Sequence, residues 1–306
     1  MIRKTLMVAA LTGALVVASP LAAHATVPDT MGHWYAMTWT STPHLYEINK
    51  TTGAATEIAV APDNFITNGM AGIDIDSTNG FGYFVDYTSQ GHLIKVDMGS
   101  GTFTDIGAID ADSVTGVDLG NNGEMWIVAD NIQGTNNAFG KVNVSTGAVT
   151  LLGACPERIA ALATSPNGVL YGFSYAGNIF TINQSTYTFT QVGTTSTEVL
   201  AADFDLDGNV ILQDWGGNVA SYNVNTNVET SLFQINGISW GGGEAFAIGG
   251  PTDGQTLAEA INGGSTAQET LPDTGMNFNG VWIGVGAVLA GGAALTVVRA
   301  RRARKQ

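Results

Sequence analysis

The densest chemistry in the sequence is Asp203-Phe204-Asp205-Leu206-Asp207-Gly208-Asn209, with Asp214 at the twelfth place of the same window. Carboxylates at alternate positions, followed by a glycine that lets the backbone curl, are how a loop wraps a hard cation in oxygen ligands. The spacing points to Ca2+, held by Asp203, Asp205, Asp207, Asn209 and Asp214. A second reading of the same residues stays open. Asp207-Gly208 is also a two-residue hairpin turn, and Asn122-Gly123 and Asn167-Gly168 are turns of the same kind elsewhere in the chain.

A second set comes from aligning those turns. Asp74, Asp118 and Asp203 stand at nearly equivalent places before Asn79-Gly80, Asn122-Gly123 and Asp207-Gly208. Three carboxylates in equivalent places would gather a cation or a cationic ligand, or cap backbone amides and water. Nucleophilic chemistry has little support. Cys155 is the one cysteine and has no recognisable histidine partner, and His33, His44 and His92 make no metal-ligand spacing. The His-Glu-x-x-His and glycine-rich phosphate-loop patterns are missing from the sequence. Trp34, Trp39, Trp126, Trp215 and Trp240 would either stack on sugars or wedge between sheets as core.

A third group sits near the C-terminus. Leu271-Pro272-Asp273-Thr274-Gly275 is followed by an apolar run over 281–298 and a basic tail over 299–306 with Arg299, Arg301, Arg302, Arg304 and Lys305. A run of about 18 apolar residues is long enough to cross a bilayer, and a cationic end stays on its cytoplasmic side. Pentapeptide, span and tail in this order resemble the C-terminal sorting signal of sortase-anchored Gram-positive surface proteins, the L-P-x-T-G family. The resemblance implies that a sortase thiolate attacks the carbonyl of Thr274 and releases everything from Gly275 onward. An amine of the peptidoglycan precursor then takes up the acyl group, leaving Thr274 amide-linked to the wall. Sortase and peptidoglycan are therefore the partners it implies, and the cell wall is the location. The likeness covers about the last 36 residues and supplies an address, not an activity.

The N-terminus matches this destination. Arg3 and Lys4 precede an apolar stretch from Leu6 to about Val17, and Ala23-His24-Ala25 closes the segment. This is the pattern of a secretory signal peptide over 1–25, read at Ala23 and Ala25 and cut after Ala25. Seven of the 11 basic residues lie in the two removable ends, and all 26 acidic ones lie between them. The expected mature chain keeps Lys50, Lys95, Lys141 and Arg158 against those 26 acids, a net charge of −22. Such a surface repels nucleic acid and anionic lipid. A lone cysteine excludes an internal disulfide, so stability must come from packing.

Positioning all of these side chains falls to a repeat. One unit is an apolar strand, a turn at Asn or Asp, then a second apolar strand. Its turn residues are Asn49, Asp97, Asn143, Asn183 and Asn223, spaced 48, 46, 40 and 40 residues apart. A second hairpin, closed by Asn-Gly or Asp-Gly, precedes each of the later copies. Two hairpins per repeat make four strands, and a period of about 40–48 residues is that of a β-propeller blade. The expected fold is therefore all-β, a propeller of four-stranded antiparallel blades over 26–250. Five blades are favoured over six, with a C-terminal segment, Gly237-Ile238-Ser239-Trp240 followed by Glu244 to Ile248, completing the first blade. In a propeller the first strand of each blade lines the central channel, which would place Asp74, Asp118 and Asp203 there. The pattern resembles the broad group of secreted YVTN-type, NHL-type and quinoprotein-like propellers. The Asp203–Asp214 window is similar to calcium loops of the EF-hand and dockerin type. It departs from them in ending on Asp and in lying between strands.

Residues 251–270, rich in Gly, Thr, Ala and Gln, read as a linker, and 271–306 as the sorting signal. Fully extended, about 20 residues reach only about 70 Å. The sequence thus describes a secreted, wall-anchored protein displaying a propeller as a binding or adhesion module for an extracellular protein or glycan. It is read as a non-enzyme. The competing class is an extracellular hydrolase, lyase or quinoprotein-like dehydrogenase on the same scaffold, which fold alone does not decide.

Overall fold

The computed structural model describes residues 30–38, 42–62, 70–86, 91–238 and 245–249. The signal peptide, the linker, the sorting signal, Trp39 and Trp240 lie outside the described residues.

The hairpins form because the repeat places a side-chain acceptor at each turn. Asn49 Oδ1 accepts from the amides of Thr51 and Thr52, both at 3.0 Å. Asp97, Asn143, Asn183 and Asn223 take the amide two residues on in the same way, at 2.9–3.0 Å. These Asx turns hold the chain in a bend before any ladder hydrogen bond forms. Gly53, Gly101 and Gly147 then carry the chain through φ of 71°, 68° and 77°, a region that costs other residues energy.

Four sheets follow in chain order. Blade 2 is β4 (Met70–Asp76), β5 (Phe81–Asp86), β6 (His92–Asp97) and β7 (Thr102–Ala108). Blade 3 is β8 (Ala111–Leu119), β9 (Met125–Ile132), β10 (Thr135–Val142) and β11 (Val149–Ala154). Blade 4 is β12 (Ile159–Thr164), β13 (Leu170–Ser174), β14 (Asn178–Ile182) and β15 (Phe189–Thr194). Blade 5 is β16 (Ala201–Phe204), β17 (Val210–Gln213), β18 (Asn218–Asn223) and β19 (Val228–Gln234). Blade 1 mixes the two ends of the domain: β20 (Ala245–Ile248) pairs with β1 (Trp34–Met37), which pairs with β2 (His44–Ile48) and β3 (Ala55–Val60). The register runs from Trp34↔Ile248 to Met37↔Ala245. This is a propeller of five four-stranded antiparallel blades, closed by the C-terminal strand as the period predicts.

Closure is visible in the inner strands. β4 packs on β8, β8 on β12, β12 on β16, β16 on β20, and β20 on β4 again. The core is divided accordingly, with an apolar cluster at each of the five blade interfaces. Strand β9 shows why its first five residues, Met125 to Ala129, are all apolar. Met125, Ile127 and Ala129 face blade 2, while Trp126 and Val128 face blade 4. Alternate side chains leave opposite faces of a strand, and here both faces are covered. Trp126 is fully buried and stacks on Phe139 at 5.4 Å and 6°, so this tryptophan is core, as is Trp34.

Candidate functional site at the mouth of the channel

The inner strands are regular at one end of the channel and distorted at the other. Where they begin, β4, β8 and β12 each slip register against their neighbours, between Ala71 and Ile73, Val114 and Gly116, and Ile159 and Ala161. A bulge bends its strand and re-aims the residues beside it. The three skipped residues, Gly72, Thr115 and Ala160, all line one cavity of about 150 Å³. Strands crowd closely there: a Cβ on Gly72 would lie 2.6 Å from the Val117 nitrogen, and one on Gly116 3.0 Å from the Ala161 Cα. Thr115 Oγ1 bridges the gap by donating to the Ile159 carbonyl at 2.7 Å.

The rim of this cavity is built by the turns between the second and third strands of blades 4 and 5. Ser174–Gly177 and Asp214–Gly217 are equivalent turns, each closed by the glycine amide on the first carbonyl at 3.0 and 3.1 Å. Asp214 further accepts from the amides of Gly216 and Asn218, both at 2.8 Å. Each turn projects an aromatic ring, Tyr175 from one and Trp215 from the other. The rings stack at 6.5 Å and 22°, and Trp215 is 40% exposed. Arg158, just before β12, lies 4.6 Å over the Tyr175 ring and donates to both carboxylate oxygens of Asp130 at 2.6 and 2.9 Å. Arginine, tyrosine and tryptophan thus form a row along one side of the mouth.

The other end of the channel holds Asp74, Asp118 and Asp203, all buried. Each reaches across to the inner strand of the following blade. Asp74 Oδ2 accepts from the Leu119 amide, Asp118 takes both the amide and the hydroxyl of Thr164 at 2.7 and 2.6 Å, and Asp203 Oδ2 takes the Ile248 amide at 2.5 Å. Asp74 and Asp203 also cap the next amide of their own strands at 2.7 Å. Burial raises the pKa of Asp74 well above the usual carboxylate range, and the charges of Asp203 and Asp118 raise it further. Burial does the same to Asp203, and it pushes Asp118 up to about 6 against the hydrogen bonds from Thr164. These groups bind neighbouring blades to one another, and their oxygens are turned to backbone amides.

The expected calcium loop is not assembled. Asp203 points into the blade interface, Asp205 caps its own hairpin through the amides of Asp207 and Asn209 at 3.0 and 2.8 Å, and Asp207 is exposed. Asp214 sits beyond the far end of β17, about 13 Å away at the rise of a strand, and caps a different turn. An extended strand separates residues that a calcium loop would fold back on one another. The window is instead the same hairpin turn as its sisters: Ser165 caps Val169 where Asp205 caps Asn209. Among the described residues no group of three or more His, Cys, Asp or Glu is placed to hold a metal ion. Cys155 is buried between blades 3 and 4, which pushes its thiol up to about 12 and leaves it no thiolate character at neutral pH.

Trp215 was among the residues with sugar-stacking chemistry, but Tyr175 and Arg158 were not singled out as site residues. The signal was present. Tyr175-Ala176-Gly177-Asn178 and Trp215-Gly216-Gly217-Asn218 stand 40 residues apart, the same interval as the turn asparagines Asn183 and Asn223.

The fold and this mouth define a five-bladed β-propeller with an aromatic and arginine rim. No protein-family description matches the chain, and no curated protein does. Among solved structures it is similar to a structural-genomics protein of unknown function from Bacteroides thetaiotaomicron, at 16% identity and a TM-score of 0.48, covering 68% of this chain and 56% of that one. It is also similar to TolB from Acinetobacter baumannii, at 13% identity and a TM-score of 0.45, covering 68% and 54%. The chain thus spans little more than half the length of either.

Proposed function

We propose that the chain is a secreted protein which a sortase joins to peptidoglycan through Thr274, and that it presents its propeller as a binding module at the cell surface. The observation that carries the first half is the ordered run of Leu271-Pro272-Asp273-Thr274-Gly275, apolar span and basic tail. A proline disfavours the helical region for the residue before it, which suits the extended form a thiolate-bearing cleft requires near a scissile site. For the second half, the support is the cavity at the channel mouth. Its rim offers an exposed ring and a guanidinium, and the skipped residues of three bulged strands line it. A concave, mostly apolar site with a few convergent polar groups is the usual form of a binding pocket.

Two measurements test the two halves separately. Thr274→Ala should leave the protein in the membrane fraction, whereas the unaltered chain should be released with the wall by mutanolysin. Recovery of the variant in mutanolysin-released material would end the covalent-sorting reading. The full chain, probed against arrays of glycans and matrix proteins, should show saturable binding. Turnover of a polysaccharide on such an array would instead make the propeller an enzyme.

A further inference from the structure

We infer that the rim of the channel mouth seats one terminal sugar ring of a glycan, and that the sugar it selects is an N-acetylated hexosamine whose acetamido group enters the cavity. The inference rests on the reading of the propeller as a binding module and adds the class of its ligand. Size is the first argument. A cavity of about 150 Å³ is on the scale of one that holds a single benzene-sized molecule, so it takes a small side group such as an acetamido while the sugar ring itself rests on the rim.

The rim supplies the second argument. Trp215 presents an exposed indole face, extended by Tyr175 stacked nearly parallel to it. The C–H face of a pyranose packs flat against such a platform, whose rings are large, rigid and amphipathic. Charge narrows the choice. Arg158 already covers the face of Tyr175, so a ligand cation cannot take that face. Its guanidinium is in turn matched by both oxygens of Asp130, so the site does not demand an anion. A neutral ring with hydroxyl and amide groups fits both conditions.

The walls choose among neutral rings. Ala71, Ala161, Ala202 and Ala245 line the cavity with methyl groups. They stand on strands that end their sheets, so the channel-side backbone amides and carbonyls have no ladder partner. An acetamido group carries a methyl, a donor and an acceptor together, which is what such a wall complements.

The test is ligand-observed saturation-transfer NMR on the full chain with N-acetylglucosamine, N-acetylgalactosamine and glucose as probes. Both acetamido sugars should receive saturation, most strongly at the acetyl methyl, and glucose should not. Trp215→Ala should weaken binding at least tenfold with an unchanged melting curve, and Trp215→Phe should recover part of the loss. Glucose binding as well as the acetamido sugars, or binding that survives Trp215→Ala, would overturn the assignment. Array binding that is independent of Trp215 would keep the propeller as a binding module while removing this pocket as its site. Acetamido-sugar binding by a chain never found in the wall fraction would do the reverse, keeping the pocket and removing the anchoring.

Discussion

The two ends of the channel are made from the same five inner strands and have opposite characters. At one end Asp74, Asp118 and Asp203 each tie a blade to the next through buried amides. At the other, three register slips open a cavity whose rim is two stacked rings and an ion-paired arginine. Polar side chains at the first end are spent on closing the ring. At the second, Thr115 and the Arg158–Asp130 pair join blades 3 and 4, while Trp215 stands exposed on its turn.

The comparison breaks first if the carboxylate end is not what holds the ring. Asp203→Ala removes the acceptor of two buried amides, Ile248 in the closing strand and Phe204 in its own. Leaving a buried donor unsatisfied costs about 1–3 kcal/mol, so the loss for two should be about 2–5 kcal/mol. Asp203→Asn keeps one carbonyl oxygen toward Ile248 and should cost less. Urea denaturation of the three proteins measures this. Equal midpoints would mean that the ring closes without the clamp.

Acidity probes the same end. The folded pKa values of Asp74, Asp118 and Asp203 all lie above the ordinary value of an unfolded aspartate. A group raised on folding adds stability that is complete below its unfolded pKa and is lost as pH rises through its folded one. For Asp118 that window runs from 3.8 to about 6. The full difference corresponds to about 3 kcal/mol at 1.36 kcal/mol per unit. The urea midpoint should therefore rise as pH falls from 7 to 4.5. Asp97 and Glu124 work in the other direction, lowered respectively by the Ser100 amide and by the hydrogen bond from Lys141, but their loss comes only as pH falls below their ordinary values. Lower pH also relieves the self-repulsion of an acidic surface, so Asp118→Asn is the control. The variant should show a flatter profile than the parent, and an unchanged slope would remove Asp118 from the account.

How far these ends were legible in the sequence follows from what each depends on. Asn49, Asp97, Asn143, Asn183 and Asn223 announce the blades because an Asx turn is local, made within a few residues. The closing strand was legible because the first blade lacked an inner strand and the tail offered one. The aspartates were found by alignment at equivalent places, but their partners Leu119, Thr164 and Ile248 stand 45 to 46 residues away, one full repeat, where sequence spacing shows nothing about contact. For the same reason the Asp203–Asp214 window misled. Its alternation is also that of a strand and its turn, and only the strand β17 between them shows that the ligands cannot meet. The cavity was least legible, since it depends on register slips at Gly72, Thr115 and Ala160 that no residue type marks.

At the mouth the expected effects on stability are small. Arg158→Lys keeps the charge but loses the two-point contact with Asp130 and the flat contact over Tyr175. Both members of the ion pair are substantially exposed, at 48% and 37% of their side chains, so the expected cost is only about 0.5 kcal/mol. Raising the salt concentration should shrink the difference between parent and variant further. A loss as large as that of Asp203→Ala would show that the rim also holds blades together.

The smallest change should come from Trp215→Ala, and it separates the two ends most sharply. Trp215 is the large hydrophobic of the rim, yet it stands 40% exposed on a turn held by Asp214 rather than by its own ring. Removing the indole leaves that turn's hydrogen bonds intact and opens no enclosed cavity. Substitutions of this kind usually fall within about 0.5 kcal/mol. Thermal melts of parent and variant should therefore coincide to within a few degrees, while Trp126→Ala, which empties a fully buried site against Phe139, should cost about 3–5 kcal/mol. Two tryptophans of one repeat family, one costly to lose and one nearly free, would locate the structural role in the blade interface and leave the rim available for a ligand. If both proved costly, the mouth would belong to the scaffold.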